Sequence, residues 1–141
     1  MKKITFKTLS ITLLMVLSGL VNAATVVVVN SANPDSAITE KVAKKIFLGK
    51  ASSTGSAEVV PVDQKEGSAI RNGFYAKVAK KDEAKMKAYW SKMIFSGKAT
   101  PPEIVDDDAA VKAWLGKNKN GIGYIDSASV DGSVKVLLTI N

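Results

Sequence analysis

A β-branched run near the start of the chain, Thr25-Val26-Val27-Val28-Val29, restricts its fold more than any other feature. Such a run is typical of a buried strand, on which other elements must pack. Shorter apolar runs predict three further strands, at 58–62, 122–125 and 134–140. The sequence therefore predicts a sheet with a strongly apolar N-terminal strand.

Residues with helical periodicity lie between these strands, with apolar side chains three and four positions apart. The four expected helices begin near Thr39, Ser68, Asp82 and residues 106–108. Strands and helices alternate in the first half, which predicts an α/β fold with a mostly parallel sheet flanked by helices. Pro61 has no backbone N–H, so the second strand is expected to lack a partner on one side, or to lie at an edge or bulge.

The first 23 residues have the organisation of a secretory signal peptide. A positive start at Lys2, Lys3 and Lys7 precedes an apolar run over 11–21. The small-residue motif Val21-Asn22-Ala23 then provides a cleavage site of the A-x-A type. These three features in this order predict export.

Cleavage after Ala23 leaves one domain, residues 24–141, large enough for a single modest core. We expect it in the bacterial periplasm, with no membrane span after cleavage. The alternative is an uncleaved N-terminal anchor. The apolar run at 11–21 is short and interrupted, whereas a span needs about 20 apolar residues.

The chain contains no cysteine and no histidine. This excludes disulfides and thiolate chemistry, and it removes the commonest general base and metal ligand. A Ser68–Lys65 pair has no recognisable catalytic motif around it, so we expect no catalytic residue, no cofactor and no metal. The net charge of +7 comes from scattered lysines and a single arginine, Arg71. That pattern favours small anions and predicts no nucleic-acid binding.

The candidate binding site is the junction between the second strand and the second helix. Ligands of open α/β sheets sit beyond the carboxyl ends of strands. Here Gly67 allows close approach to the backbone, and the first-turn N–H groups of Ser68, Ala69 and Ile70 have no intrahelical partner. Arg71 is placed to reach back to an oxyanion. The plainer interpretation is an ordinary helix N-cap, and the dipeptide alone does not decide between them.

Three consecutive aspartates, Asp106-Asp107-Asp108, are a second candidate feature. Carboxylates are calcium ligands, but they also cap helix N-termini and complement the helix dipole. The following apolar periodicity favours capping.

Several short blocks resemble periplasmic phosphate-binding proteins, the substrate receptors of phosphate ABC transporters. They occur in the order and spacing of that family over residues 27–126. The blocks are 46–50 (IFLGK), 61–62 (PV), 67–68 (GS), 74–75 (FY), 89–90 (YW), 94–97 (IFSG), 101–102 (PP) and 121–124 (GIGY). Each is weak alone, and the ordered set is fairly specific.

The resemblance implies one lobe of a type II periplasmic-binding-protein-like fold, because a two-lobed receptor needs about twice this length. It also implies an oxyanion site at a Gly-Ser-Gly-Thr loop, which this chain matches only at Gly67 and Ser68. Ala69 replaces the second glycine and Ile70 the threonine, so one hydroxyl donor is lost. Gln64 stands where the family often has arginine.

Two functions are consistent with these features. The first is an exported solute-binding protein that holds an inorganic oxyanion, phosphate above all, and serves an ABC phosphate uptake system. Its candidate protein partners are an ABC permease, a second lobe or a second protomer. The second is a non-catalytic periplasmic interaction or regulatory module that kept the fold and lost the ligand.

Overall fold

The computed structural model describes residues 24–141. The predicted signal peptide, residues 1–23, lies outside them, and so does the choice between cleavage and anchoring. Within 24–141, none of the helices has the length and apolar character needed to cross a membrane.

The described residues form five strands and four α-helices. The strands are β1 (Thr25–Asn30), β2 (Val60–Gln64), β3 (Glu103–Val105), β4 (Gly121–Asp126) and β5 (Val134–Ile140). The helices are α1 (Glu40–Phe47), α2 (Ala69–Val78), α3 (Glu83–Phe95) and α4 (Asp108–Lys117), with a 3₁₀ turn at Ser127–Ser129. All four predicted helices and all four predicted strands are present.

The strands form one sheet in the order β3-β2-β4-β1-β5. Strand β2 runs parallel to both β3 and β4, whereas β1 runs antiparallel to both β4 and β5. The α/β fold is confirmed, but the sheet is mixed rather than mostly parallel. An apolar run indicates that a strand is buried and not which way it points. The direction of β1 is set by pairing with strands nearly a hundred residues later in the chain.

The short edge strand β3 was not predicted, because its three residues are exposed or half-buried and form no apolar run. It pairs only with Val62, Asp63 and Gln64 of β2. Pro61 therefore has a ladder partner on the β4 side alone, where it lies opposite Ile122. The expectation that one side of Pro61 lacks a partner is confirmed.

Helices cover both faces of the sheet, as the buried N-terminal run predicts. Val27 and Val29 of β1 pack in a core cluster with residues of α1, α2 and α3. Val26 and Val28 face the other way, into a smaller cluster with α4. All four valines are 3% exposed or less. The strand is thus buried on both sides, with three helices on one face and one on the other.

Two glycines of β4 let α4 lie close to the sheet. A Cβ at Gly123 would lie 2.8 Å from a Val111 methyl of α4 and 3.0 Å from a Val62 methyl of β2. A Cβ at Gly121 would lie 2.4 Å from the Trp114 ring. Both distances of less than 3 Å are shorter than real side chains tolerate, so the approach of α4 depends on these glycines.

Candidate functional site

A cavity of about 730 Å³ opens at the edge of the sheet where β2 and β4 end. One wall is the start of α2, with Ser68, Ala69 and Ile70, and Gln64 at the end of β2. The opposite wall is the start of α4, with residues 106–108. Two helix N-termini therefore face one cavity at the carboxyl ends of two parallel strands, the usual place for ligands in such sheets.

The turn into α2 is shaped by Gly67 and closed by Ser68. Gly67 has a φ of +82°, which favours glycine, and a Cβ there would meet only Glu83 Oε1 at 3.8 Å. Ser68 is the N-cap residue, and its Oγ accepts a hydrogen bond from the Arg71 amide at 3.4 Å. The predicted N-cap is confirmed.

The first-turn amides of α2 differ in whether they have an acceptor. The Ser68 N–H donates to the Lys65 carbonyl at 3.2 Å, so it is not the free donor that the sequence predicted. The amides of Ala69 and Ile70 have no acceptor among residues 24–141. Two backbone donors, at the positive end of a helix dipole, therefore remain for a ligand in the cavity.

Among the five predicted site residues, Gly67 and Arg71 do not line this cavity. The Arg71 side chain is buried on the inner side of α2, and the residue is 5% exposed. Its Nε lies 3.5 Å from Asp63 Oδ1, and its guanidinium stacks over the Tyr75 ring at 5.5 Å from the centroid. The structure therefore groups Ser68, Ala69 and Ile70 at the cavity and turns Arg71 toward the core.

Asp63, which sequence reasoning missed, is the acceptor at the centre of a buried polar cluster. It is 1% exposed at the end of β2. Its Oδ2 accepts from the Tyr75 hydroxyl at 2.7 Å, and its Oδ1 accepts from the Tyr124 hydroxyl at 2.5 Å. With Arg71 these bonds tie β2, α2 and β4 together just below the cavity. The available signal was an acidic residue that directly follows a predicted buried strand.

The two tyrosines of this cluster are held as neutral donors. Burial is the main cause that raises the pKa of Tyr75 well above its ordinary value, and the Asp63 charge adds to it. Burial likewise raises the pKa of Tyr124, and Asp63 again contributes. Both phenols therefore keep their protons in the folded protein and donate hydrogen bonds to the Asp63 carboxylate.

The cavity wall opposite α2 is acidic, although its carboxylates accept several hydrogen bonds. Asp107 caps α4 by accepting from the Ala110 amide at 2.8 Å, which confirms capping within residues 106–108. Asp108 accepts from the Gln64 side-chain amide at 2.8 Å and from the Asp126 amide at 3.0 Å. No grouping of His, Cys, Asp or Glu among residues 24–141 has the arrangement of a metal site.

The side-chain nitrogen of Gln64 donates two hydrogen bonds inside the protein. Its side-chain amide also donates to the Tyr124 carbonyl at 2.9 Å, and the residue is 1% exposed. The arginine that the resemblance implies at this position is thus replaced by an amide that links β2 to β4 and α4. Lys77 also lines the cavity and adds a positive charge.

Solved structures with the same fold come from phosphate transport systems. One, from Clostridium perfringens and solved with bound phosphate, is assigned to the phosphate ABC transporter substrate-binding proteins. It matches 82% of this chain at 25% identity and a TM-score of 0.65. An ABC-type phosphate transport receptor from Vibrio cholerae matches the same share at 20% identity and a TM-score of 0.64. PstS from Borrelia burgdorferi matches it at 14% identity and a TM-score of 0.58.

The fold resembles one lobe of these receptors. The match covers 44%, 45% and 46% of the three structures, so this chain spans less than half of their length. No protein-family model matches the sequence, and no curated protein does. The resemblance that the short sequence blocks indicated, and the single-lobe α/β fold that it implied, are confirmed. The assignments of the signal peptide and of the site residues stay predictions.

Proposed function

We propose that the chain binds an inorganic oxyanion, phosphate above all, in the cavity at the start of α2. The observation that carries the proposal is the pair of amides, Ala69 and Ile70, that open on this cavity with no acceptor among the described residues. Ser68 Oγ accepts from the Arg71 amide, which leaves the hydroxyl proton for a ligand oxygen. Gly67 sets the turn, and Arg71 supports it from the core without touching the ligand.

The aspartates of the opposite wall bias the site toward phosphate rather than sulfate. Asp106, Asp107 and Asp108 line the same cavity as the free amides. A protonated phosphate oxygen can donate to a carboxylate, whereas sulfate has no proton at neutral pH and is repelled. Binding stays weak, because the cavity is open and water screens each ionic contact.

A second body completes the cavity in this proposal. Residues 24–141 enclose the cavity only in part. The match covers 44% and 45% of the two phosphate receptors, which therefore contain a further part of similar size. We propose that a second lobe or protomer closes the cavity. We propose export through residues 1–23 to the periplasm, and an ABC permease as the downstream partner. The role is binding rather than catalysis, in keeping with the receptors that share the fold.

Titration calorimetry with phosphate and sulfate tests the proposal. Ser68→Asp is the variant designed to block binding. Aspartate caps a helix as well as serine, so the fold is kept, but it places a negative charge at the ligand position. We expect a phosphate signal that exceeds the sulfate signal, and we expect Ser68→Asp to abolish it while the protein stays folded. Equal binding by the variant, or no heat with phosphate well above millimolar concentration, contradicts the proposal.

The second candidate, a module that lost its ligand, is favoured by the side chains that are already engaged. Gln64 bonds Asp108 and Tyr124, and Arg71 pairs with Asp63. The site therefore keeps backbone donors but no free arginine. If the folded protein gives no binding signal in the phosphate titration, this function is favoured over the first.

A further inference from the structure

Helix α3 ends in an aromatic side chain that solvent surrounds almost completely. Phe95 is 95% exposed, and Ile94 beside it is 57% exposed. Ile104 of the edge strand β3 is 48% exposed and lines the same shallow cavity as Ile94. Large apolar side chains that are exposed together mark binding surfaces in soluble proteins. Nothing in the proposed function uses these three residues.

The packing of α3 on the core directs Phe95 outward. Met86 and Trp90 are the buried residues of α3, and both belong to the larger core cluster. Five residues along an α-helix turn by about 140°, so Phe95 points away from the face that carries Trp90. A rotation of α3 that buried Phe95 would expose Trp90. The exposure of Phe95 is therefore a property of the packed helix rather than of a loose end.

The net positive charge of the described residues is concentrated around Phe95. Lysines are spread along the sequence, but their excess over acidic residues is not. Residues 80–98 contain six lysines and two acidic residues, whereas the rest of 24–141 contains eleven residues of each sign. Five of the six lysines are exposed, namely Lys80, Lys85, Lys87, Lys92 and Lys98. Residues 80–98 with Ile104, the α3 surface, therefore combine exposed apolar side chains with the excess positive charge.

Acidic residues lie only at the margins of the α3 surface. Asp82 and Glu83 stand at the start of α3, and Glu66 and Glu103 lie on the side of β2 and β3. These four carboxylates do not cancel the six lysines. Residues 85–102 contain no aspartate or glutamate. The exposed end of α3 therefore faces solvent with a positive potential around it.

We propose that the α3 surface binds an anionic lipid bilayer as a peripheral contact. Phe95 and Ile94 enter the boundary between headgroups and acyl chains. Lys87, Lys92 and Lys98 reach the anionic headgroups, because their long side chains keep the charge in water. A bilayer accepts a protruding phenyl ring without a preformed pocket, whereas a folded acidic protein would have to provide one.

This contact leaves the proposed phosphate cavity open. The α3 surface shares no residue with the lining of that cavity. The contact also requires no membrane-spanning helix, and residues 24–141 contain none that is long and apolar enough. Phosphate binding and bilayer binding are thus separate properties of the chain in this proposal.

Co-sedimentation of the protein with lipid vesicles tests the proposal. The probe is a vesicle of mixed phosphatidylglycerol and phosphatidylcholine, and a vesicle of phosphatidylcholine alone is its neutral control. We expect binding to the anionic vesicle only, and a steep loss of binding as the salt concentration rises. Retained residues 1–23 would contribute equally to every variant, so the decisive comparison is between variants.

Phe95→Ser removes the apolar part of the contact, and Val130→Ser is its matched control. Val130 is 37% exposed and follows the 3₁₀ turn, outside the α3 surface. We expect Phe95→Ser to weaken vesicle binding at least about tenfold, because the ring no longer leaves water. Val130→Ser should bind like the wild type. Equal binding by the two variants overturns the proposal.

Lys92→Gln removes one charge of the contact, and Lys117→Gln removes one charge elsewhere. Both lysines are exposed and lie in the last turn of a helix, Lys92 in α3 and Lys117 in α4 on the other face of the sheet. We expect Lys92→Gln to weaken vesicle binding about fivefold and Lys117→Gln by less than about twofold. Equal weakening would show a general effect of net charge and would overturn the proposal.

The same variants separate this proposal from the proposed function. Phe95→Ser should leave the phosphate titration unchanged, because Phe95 does not line the phosphate cavity. Either proposal can therefore fail while the other holds. A protein that ignores anionic vesicles at low salt overturns the bilayer contact, and an acidic protein then becomes the partner that fits the α3 surface.

Discussion

Ser68 has two roles at once, because the hydroxyl that caps α2 also faces the proposed ligand. Its Oγ accepts from the Arg71 amide at 3.4 Å, and the residue lines the cavity at the start of α2. Ser68→Ala removes the cap and is expected to lower the free energy of unfolding by about 1 kcal/mol. Ser68→Asp keeps the cap, so we expect near wild-type stability. Urea unfolding of both variants checks this, and equal losses would show that capping is not what Ser68 contributes.

Asp63 is expected to be the most sensitive single residue of the site region. Asp63→Asn removes the charge that offsets buried Arg71 and disturbs the acceptors of Tyr75 and Tyr124. We expect a loss of about 3–5 kcal/mol in the free energy of unfolding. Asp131→Asn is the control, since its ion pair with Lys112 at 2.9 Å is exposed and should matter little. Comparable urea midpoints for the two variants would refute the central role of Asp63.

The two buried tyrosines predict a loss of stability at high pH. Their pKa values are raised in the folded protein, so above pH of about 10 the unfolded chain releases protons that the folded chain keeps. The contribution of the two tyrosines to the free energy of unfolding is therefore fully present below that pH. It falls as pH rises, by up to about 1.4 kcal/mol per pH unit for each tyrosine. Urea unfolding between pH 8 and pH of about 11 measures the slope. Tyr124→Phe should reduce it, and an unchanged slope contradicts the assignment.

At the residue scale, the sequence predicts what local chemistry determines. Ser68 and Asp107 cap their helices as expected, because capping depends on residues three positions apart. The sequence did not predict that the Arg71 side chain turns toward the core, or that the Gln64 side chain forms hydrogen bonds inside the protein. Their partners, Asp63 and Asp108, become neighbours only once the strands and helices have packed.

At the scale of the element, α4 depends on a close approach to β4. Gly123→Ala would push a methyl group against Val111 and Val62, so we expect a loss of about 1–3 kcal/mol from overpacking. Gly116→Ala is the matched control, because its Cβ meets nothing within 4 Å and alanine favours a helix. We expect this control to raise stability by up to about 1 kcal/mol. Thermal unfolding of both variants decides the point, and a neutral Gly123→Ala would contradict it.

Element identity was predictable, whereas strand direction and the edge strand were not. The β-branched run of β1 marks it as buried by itself. Its antiparallel pairing with β4 and β5 depends on strands that lie far along the chain. The three residues of β3 are held by β2 alone and carry no pattern of their own. The missing partner beside Pro61 was predictable, because the absence of a backbone N–H is a property of that one residue.

At the scale of the whole molecule, we expect residues 24–141 alone to bind phosphate weakly. The cavity at the start of α2 is open, and water competes for the amides of Ala69 and Ile70. We therefore expect a phosphate dissociation constant near the millimolar range, on the order of 4 kcal/mol of binding free energy. Closure by a second protomer would exclude water and strengthen the contacts. Light scattering with and without phosphate tests the second protomer. A strict monomer under both conditions removes that partner from the proposal.

In the proposed function, two backbone amides at the start of α2 hold phosphate. A ¹H–¹⁵N titration of the protein with inorganic phosphate reports on these amides residue by residue. We expect saturable shifts that are largest at Ala69 and Ile70 and absent in Ser68→Asp. Saturable shifts elsewhere on the surface, or none at these two amides up to high phosphate concentration, would contradict it.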